Sequence, residues 1–265
     1  MRLEVGCMIE LECAQPTPLL LLLRPRSGTH QWIARESYSL TPQVPATEYV
    51  DGFGNLCQRL VAPAGSFRIE SRSEVIVACS EDEGHGAAYV PVEALPDDVL
   101  VYLIPSRFCE SDRLGSLANE ITLGQPPGYD QVVAISRWVH SRLRYLPESD
   151  PMPISACEAL ERGEGVCRDF AHLGIALCRS MSIPARMVAG YLQDLEPMDL
   201  HAWFQAFVGG RWYTFDPTRP DQNKARVILA LGRDATDVPV FNQFGPPVTP
   251  SEMRVFAREI PGFPA

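Results

Sequence analysis

The sequence lacks any run of basic residues. Its 265 residues carry 23 Lys and Arg against 33 Asp and Glu, which gives a formal net charge of −10 at pH 7, and the isoelectric point is about 5.0. Proteins that bind nucleic acid neutralise phosphates with clustered Lys and Arg side chains. Nucleic acid is therefore not expected as a partner.

Long apolar segments are missing as well. The first ten residues have no apolar signal core and carry Glu4 and Glu10, and the most conspicuous aliphatic run is the five leucines of Leu19–Leu23. A bilayer crossing needs roughly 20 apolar residues, so this run is predicted to be a buried strand. We therefore expect no secretory leader and no membrane partner.

Closely spaced metal-binding pairs are also absent. The eight cysteines form no CxxC pair, and the sequence has no HExxH motif. Cysteines outside a small disulfide-rich frame favour free thiols and a cytoplasmic location. A zinc site formed by Cys157, Cys167 and Cys178 is the alternative, but structural zinc sites usually have closer pairs. A metal site is therefore not expected.

The sequence does contain a regular series of short strands over residues 1–80. Residues 2–13 alternate apolar and polar side chains, which is typical of a half-buried strand. Further strands are predicted at Leu19–Leu23, Gln31–Leu40, Thr47–Asp51, Leu56–Val61 and Phe67–Cys79. The segment Asp51-Gly-Phe-Gly-Asn55 predicts a tight turn, because it has too few carboxylates for a calcium loop. Residues 1–80 are interpreted as an all-β, sandwich-like module.

The pattern changes after residue 80. Residues 81–105 are acidic, glycine-rich and interrupted by prolines, as is typical of a connection between domains. Helical periodicity then begins, so a second domain is predicted over residues 106–265 and the overall class is α+β. The predicted helices are Asp112–Ile121, Tyr129–Leu143 and a short helix between Ser155 and Gly163. Residues 221–265 are rich in proline and glycine, with a strand predicted at Val227–Leu231. This segment is expected to wrap the domain or cover its cleft.

The segment Gly163–Met181 is a glycine-broken loop that opens into a helix, with Cys167 at the junction. The helix is apolar on nearly all sides, which indicates a position in the middle of a domain. A thiol at the first turn faces unpaired backbone N–H groups and the positive end of the helix dipole. Both favour the thiolate, which is the nucleophilic form. Arg168 adds to this effect, and Asp169 opposes it.

A second candidate segment is the hairpin around Gly209-Gly210. A two-residue turn there sets the register so that Asp216 faces Trp203. His201 lies two residues before Trp203 and shares its face. His201 and Asp216 thus become diagonal neighbours, with Cα atoms about 7–8 Å apart and side chains within reach of a hydrogen bond. A three-residue turn would shift the register and separate them.

Together these residues predict nucleophilic catalysis. Asp216 would orient His201, His201 would accept the thiol proton, and Cys167 would attack a carbonyl to form an acyl-enzyme. The Cys167 backbone N–H is one expected oxyanion donor, and Tyr145 and Trp138 are the candidates for the second. Each residue also has a structural interpretation: a small buried side chain for Cys167, a strand histidine, a turn-forming aspartate and a packing tryptophan.

These motifs resemble those of a known family. Gly-Val-Cys167-Arg-Asp-Phe-Ala-His-Leu, Ile-Pro-Ala-Arg-Met-Val-Ala-Gly-Tyr191, His201-Ala-Trp and Phe-Asp216-Pro-Thr are similar, in this order, to motifs of the microbial transglutaminase-like superfamily. The N-terminal module also resembles the β-region that precedes the catalytic domain in bacterial members. The resemblance implies a papain-like catalytic domain, with the cysteine helix packed on an antiparallel sheet. It further implies acyl-transfer chemistry on amides without a metal or an organic cofactor.

By position in these motifs, Cys167 corresponds to the nucleophile, His201 to the base and Asp216 to the orienting carboxylate. The leading prediction is a cysteine hydrolase or peptidase that acts on a peptide or protein amide. Glutamine acyl transfer to amines is the first alternative, although no dry, amine-accepting channel is evident in the sequence. A non-catalytic binding or scaffold protein is the second, but such a protein has no physical reason to keep all three side chains.

Overall fold

The structure, a computed structural model, describes residues 1–28, 30–78, 84–147, 152–220, 224–248 and 250–262. Its N-terminal part contains β1 (Arg2–Cys13), β2 (Thr17–Leu21), β3 (Gln31–Thr41), β4 (Ala46–Val50), β5 (Leu56–Ala62) and β6 (Gly65–Val77). Each of these strands was predicted, with ends that differ by two residues or fewer. The predicted end of the last strand at Cys79 and the boundary at residues 80 and 81 lie outside the described residues.

The remaining helices and strands follow residue 110. They are α1 (Gly115–Ile121), α2 (Tyr129–Arg142), β7 (Arg144–Tyr145), α3 (Ala156–Arg162), β8 (Glu164–Gly165), α4 (Cys167–Ser180), β9 (Ala185–Leu192), β10 (His201–Val208), β11 (Arg211–Phe215), β12 (Arg226–Gly232), β13 (Phe241–Gln243) and β14 (Pro250–Glu259). Short 3₁₀ turns at Val92–Ala94, Asp97–Tyr102 and Ser111–Arg113 connect the two parts. The fold is α+β, as predicted.

Two four-stranded antiparallel sheets form an N-terminal sandwich, and each includes one strand from the C-terminal part of the chain. Their strand orders are β14-β1-β6-β3 and β13-β2-β5-β4. Alternating residues of β1, such as Leu3 and Val5, meet Leu19 and Leu60 of the other sheet in a common apolar core. The prediction of a catalytic domain over residues 106–265 did not include this pairing. The composition of this segment gave no indication of pairing with strands so distant along the chain.

The helix α4 lies at the centre of the second part. It packs on the antiparallel sheet β11-β10-β9-β12 and is surrounded by α1, α2 and α3. A Cβ atom at Gly174 would lie only 2.6 Å from the Phe204 ring, so glycine permits the helix to approach β10 closely. The predicted packing of the cysteine helix on an antiparallel sheet is thus confirmed.

The sandwich holds this second sheet along its edge strand, β12. The Gln31 side-chain amide donates to Ile228 O (2.9 Å) and accepts from Ile228 N (2.7 Å). The Asn55 amide forms the same pair of hydrogen bonds with Leu231, at 2.8 and 2.7 Å. Asp51 accepts a hydrogen bond from the Asn55 side chain (2.9 Å) inside the predicted tight turn. Two side-chain amides therefore occupy the place of a neighbouring strand.

No helix in the described part of the chain combines the length and the apolar character that a bilayer crossing requires. The cysteines of that part are free thiols: Cys7, Cys13, Cys57, Cys109, Cys157, Cys167 and Cys178. Among the described residues, no group of three or more His, Cys, Asp or Glu side chains is placed to hold a metal ion.

Candidate active site

Cys167 is the first residue of α4, and its side chain is partly exposed. The preceding loop is fixed because β8 pairs in parallel with β7, which sets Tyr145 opposite Gly165. Asp169 is buried and its carboxylate accepts the Val166 backbone N–H (3.0 Å), so it caps the start of the helix. The backbone N–H of Cys167 precedes the first hydrogen bond inside the helix, and it is therefore free to bind an oxyanion.

The hairpin of β10 and β11 carries the other two predicted residues. Its turn is Gly209-Gly210, with φ angles of 57° and 85°, and Val208 pairs with Arg211. This is the predicted two-residue turn, for which glycine is favoured because φ is positive at both positions. In the resulting register, His201 Nε2 lies 2.8 Å from Asp216 Oδ2, and both side chains are buried.

Cys167 completes the group. Its thiol lies beside the imidazole of His201 and contributes to the raised pKa of that ring. Because Nε2 of His201 faces Asp216, Nδ1 is the ring nitrogen left for the sulfur. The structure thus brings together the three residues that the sequence singled out, although they come from a helix, a strand and the segment after a strand.

The charges of this group are strongly coupled. Burial disfavours the charged imidazole, but the hydrogen bonds to Asp216 and Cys167 outweigh burial and raise the pKa of His201 to about 9. Burial alone would raise the pKa of Asp216, yet the His201 hydrogen bond and the positive charges of His201 and Arg226 hold it well below its usual range. A charged carboxylate beside a charged imidazole is the favoured state at neutral pH.

Two partners of Asp216 were not anticipated. Thr218 donates to Asp216 Oδ1 through its backbone N–H (3.1 Å) and its hydroxyl (2.6 Å). Arg226 Nη2, from β12, lies 3.2 Å from Asp216 Oδ2. A threonine two residues after an aspartate is a detectable turn pattern. Arg226 has no such signal, because it reaches Asp216 through tertiary packing.

The two candidates for the second oxyanion donor differ in environment. Tyr145 is half-exposed, and its ring lies 6.0 Å from that of Phe170. Burial of its hydroxyl, with a contribution from negative charge at Cys167, raises the pKa of Tyr145 to about 12. The phenol therefore keeps its proton and can donate. Trp138 packs on the apolar core from α2, which is the structural role also considered for it. The oxyanion role remains a prediction for both.

A second buried histidine lies on α4. The ring nitrogens of His172 pair with Ile154 O (Nδ1, 3.0 Å) and with the backbone N–H of Ala235 (Nε2, 3.2 Å), and the ring stacks on Phe108. Nε2 accepts the Ala235 hydrogen, so Nδ1 carries the single proton of a neutral ring. Burial lowers the pKa of His172 to about 4. This histidine joins elements of the fold and stays uncharged.

Comparison with known proteins finds similarity in both parts of the chain. The model of the transglutaminase-like superfamily matches residues 115–217, and that of the bacterial transglutaminase-like N-terminal region matches residues 14–76. The solved structure of a candidate cysteine protease from Cytophaga hutchinsonii is 34% identical, with a TM-score of 0.90 over 97% of this chain and 90% of that one.

Two mycobacterial relatives extend the comparison. An uncharacterized protein of Mycobacterium leprae is 31% identical over 233 residues, which cover 82% of each chain. An uncharacterized protein of Mycobacterium tuberculosis is 27% identical over 247 residues, which cover 82% of this chain and 78% of that protein.

Proposed function

The chain belongs to the transglutaminase-like superfamily, and from that membership and the site geometry we propose that it is a cysteine hydrolase or peptidase. Its substrate would be a peptide or protein amide, attacked by Cys167 to form an acyl-enzyme. The observation that carries this proposal is the position of His201, which is hydrogen-bonded to Asp216 and electrostatically coupled to Cys167. A cytoplasmic location belongs to the same proposal, since the described cysteines are free thiols.

The chemistry follows from the arrangement of hydrogen bonds. In the resting thiolate–imidazolium pair His201 already holds the thiol proton, and the Cys167 thiolate attacks the carbonyl carbon of the amide. The Cys167 N–H and the Tyr145 hydroxyl bind the oxyanion that develops. His201 then gives its proton to the leaving amine. In the second half, His201 takes a proton from water and the resulting hydroxide attacks the thioester carbon. The intermediate expels the Cys167 thiolate, which releases the acid and restores the thiolate–imidazolium pair.

The acceptor of the acyl group separates a hydrolase from an acyltransferase. The Cys167 side chain is partly exposed, so water can reach a thioester formed there. Exposure to water favours hydrolysis, because an amine must be held in a sheltered position to compete with bulk water for the acyl group. We therefore place hydrolysis ahead of transfer to amines.

The first test is alkylation by iodoacetamide, followed cysteine by cysteine with mass spectrometry across a range of pH. We expect Cys167 to react fastest near neutral pH in the wild type and to lose that advantage in His201→Ala. Cys157 is a matched internal control, because it is also partly exposed and lies at the start of a helix, and burial raises its pKa. Equal rates for Cys167 and Cys157 in the wild type would favour the non-catalytic alternative.

The second test identifies the acceptor. The protein is incubated with an amide library in H₂¹⁸O, with and without an added primary amine, and the products are weighed by mass spectrometry. Hydrolysis predicts acids that carry ¹⁸O in both reactions. Amine adducts that replace the acids at millimolar amine would identify an acyltransferase instead, and Cys167→Ala should abolish either product.

A further inference from the structure

Asp216 holds two cationic side chains on one oxygen atom. Its Oδ2 lies 2.8 Å from His201 Nε2 and 3.2 Å from Arg226 Nη2. Its Oδ1 is occupied by the backbone and hydroxyl of Thr218. The carboxylate is buried, so both cations interact with a single negative charge that solvent screens only weakly.

Arg226 is held in place rather than extended into solvent. Its Nη1 donates to Lys224 O (3.1 Å), and its guanidinium lies 5.8 Å from the centre of the Trp203 ring. Trp203 in turn stacks against His201, with ring centres 6.0 Å apart. Arginine, aromatic ring, imidazole and carboxylate therefore form one packed cluster behind the proposed nucleophile.

The strand that carries Arg226 is fixed by the N-terminal sandwich. Arg226 is the first residue of β12, and Ile228, two residues later, is the one whose backbone pairs with both polar atoms of the Gln31 amide. Gln31 is itself buried and bonded to Arg26 O (2.8 Å). The sandwich thus reaches within two residues of a side chain that contacts the proposed triad.

On the basis of the function proposed above, we propose that Arg226 is a positioning residue of the catalytic site, fixed there by the N-terminal module through Gln31. Arg226 and His201 both interact with the Asp216 carboxylate, so Arg226 limits how strongly this carboxylate stabilises the His201 imidazolium. Without Arg226, the full charge of Asp216 would act on His201. The imidazolium would become more stable and would release its proton to a leaving amine less readily.

The test uses iodoacetate and needs no substrate. The imidazolium of His201 attracts the carboxylate of this reagent, so the alkylation rate of Cys167 should fall at high pH as His201 loses its proton. The other charged neighbours of His201 are Cys167, Asp216 and Asp199, which all variants retain. We expect Arg226→Gln to move this alkaline fall upward by about one pH unit.

The charge-retaining variant and a surface control make this result specific. Arg226→Lys should recover most of the wild-type profile, because it restores a cation near Asp216. Arg254→Gln removes an exposed arginine that pairs with Glu252 and should leave the profile unchanged. An Arg226→Gln profile that coincides with the wild type, or a shift that Arg226→Lys reproduces in full, would overturn the role of Arg226. A wild-type rate with no alkaline fall would contradict the thiolate–imidazolium pair, and with it the proposed function.

A separate set of variants tests whether the sandwich fixes Arg226 through Gln31. Gln31→Ala should shift the alkaline fall in the same direction as Arg226→Gln, and it should add nothing in the double variant. Asn55→Ala is the matched control, since it removes an equivalent pair of hydrogen bonds to Leu231, farther along β12, and it should shift the fall less. Equal shifts for Gln31→Ala and Asn55→Ala, or additive shifts in the double variant, would show that the sandwich does not act through Arg226.

Discussion

Two buried histidines in this protein differ in charge, one cationic and one neutral, because their partners differ. Burial acts to lower the pKa of both residues. The net result is nevertheless a pKa of about 9 for His201 and of about 4 for His172. His201 has the Asp216 carboxylate at hydrogen-bond distance, whereas His172 pairs with one backbone carbonyl and one backbone N–H. An N–H facing the ring excludes a second ring proton. The identity of one neighbour thus decides whether a histidine can act as an acid or only as a link.

His172 predicts an acid-sensitive fold. The unfolded chain binds a proton on this histidine near pH 6.5, and the folded chain only near pH 4. The neutral His172 therefore contributes roughly 3 kcal/mol to the free energy of unfolding above pH 6.5, and this contribution is lost as the pH falls to about 4. Urea unfolding at several pH values should show this slope in the wild type and a flatter one in His172→Gln. The exposed His85 provides the control, since His85→Gln should retain the wild-type slope.

Removal of the Thr218 hydroxyl is expected to reduce activity without unfolding the protein. Thr218→Val removes the hydroxyl that donates to Asp216 Oδ1 at 2.6 Å, and a hydrogen bond to a charged group contributes about 1.5–3 kcal/mol. We expect kcat/KM on an amide substrate to fall by about tenfold or more, mainly through kcat. Thr218→Ser keeps a hydroxyl and should stay near the wild type. Equal activities for the Val and Ser variants would contradict the assignment.

Single residues were predictable from sequence where a local pattern marks them. Cys167 stands at a loop–helix junction, and the register that brings His201 to Asp216 follows from a glycine pair. Arg226 belongs to a different strand, ten residues after Asp216 along the chain. No periodicity or turn pattern specifies such a contact, because it depends on which strands become neighbours in the sheet.

At the scale of elements, periodicity was sufficient to locate the helices and strands but not to pair all of them. The strand Arg226–Gly232 was predicted nearly to its ends, as Val227–Leu231. The short strand Phe241–Gln243 and the longer Pro250–Glu259 were not, although each completes a sheet of the sandwich. Their side chains are mostly half-exposed, so they lack the apolar alternation that identified β1.

The close approach of α4 to β10 is expected to require glycine at position 174. Gly174→Ala places a Cβ 2.6 Å from the Phe204 ring, and overpacking of this kind costs about 1–3 kcal/mol. The higher helix propensity of alanine offsets about 1 kcal/mol of that cost, so a net destabilisation of roughly 1 kcal/mol is expected in urea unfolding. Gly115→Ala is the comparison, because nothing lies near its Cβ position, and it should be neutral or slightly stabilising. A stabilised Gly174→Ala would show that the ring moves aside.

At the scale of the molecule, the two parts share their cores. Tyr191, Val227 and Leu229, from β9 and β12, pack into the apolar core of the sandwich. The Asn55 and Gln31 amides bind the backbone of β12, at the edge of the sheet that carries His201. The sandwich therefore supports one edge of the sheet that carries His201. This gives a physical reason why the sandwich and the helix-containing part occur together in the solved structure described above, which matches 97% of this chain.

Removal of β14 should weaken the sandwich without touching the proposed active site. A chain shortened after Val248 loses the partner of β1, including the buried Ala257 and the ion pair between Arg258 and Glu4. An unpaired strand edge promotes association between molecules. We expect a lower midpoint of thermal unfolding and larger species in light scattering. A chain shortened after Ile260 keeps β14 and should behave as the full chain; identical results for both would rule out a role for this pairing.

The pairing of β14 with β1 also orders events in time. Partner residues such as Leu3 and Glu259 lie at opposite ends of the described chain, and ribosomes add about 5–20 residues per second. After its own synthesis, β1 thus waits on the order of 10–50 s for β14 to be synthesised. Throughout that interval one edge of β1 is open to other nascent chains, and this apolar strand is where a chaperone would be needed most.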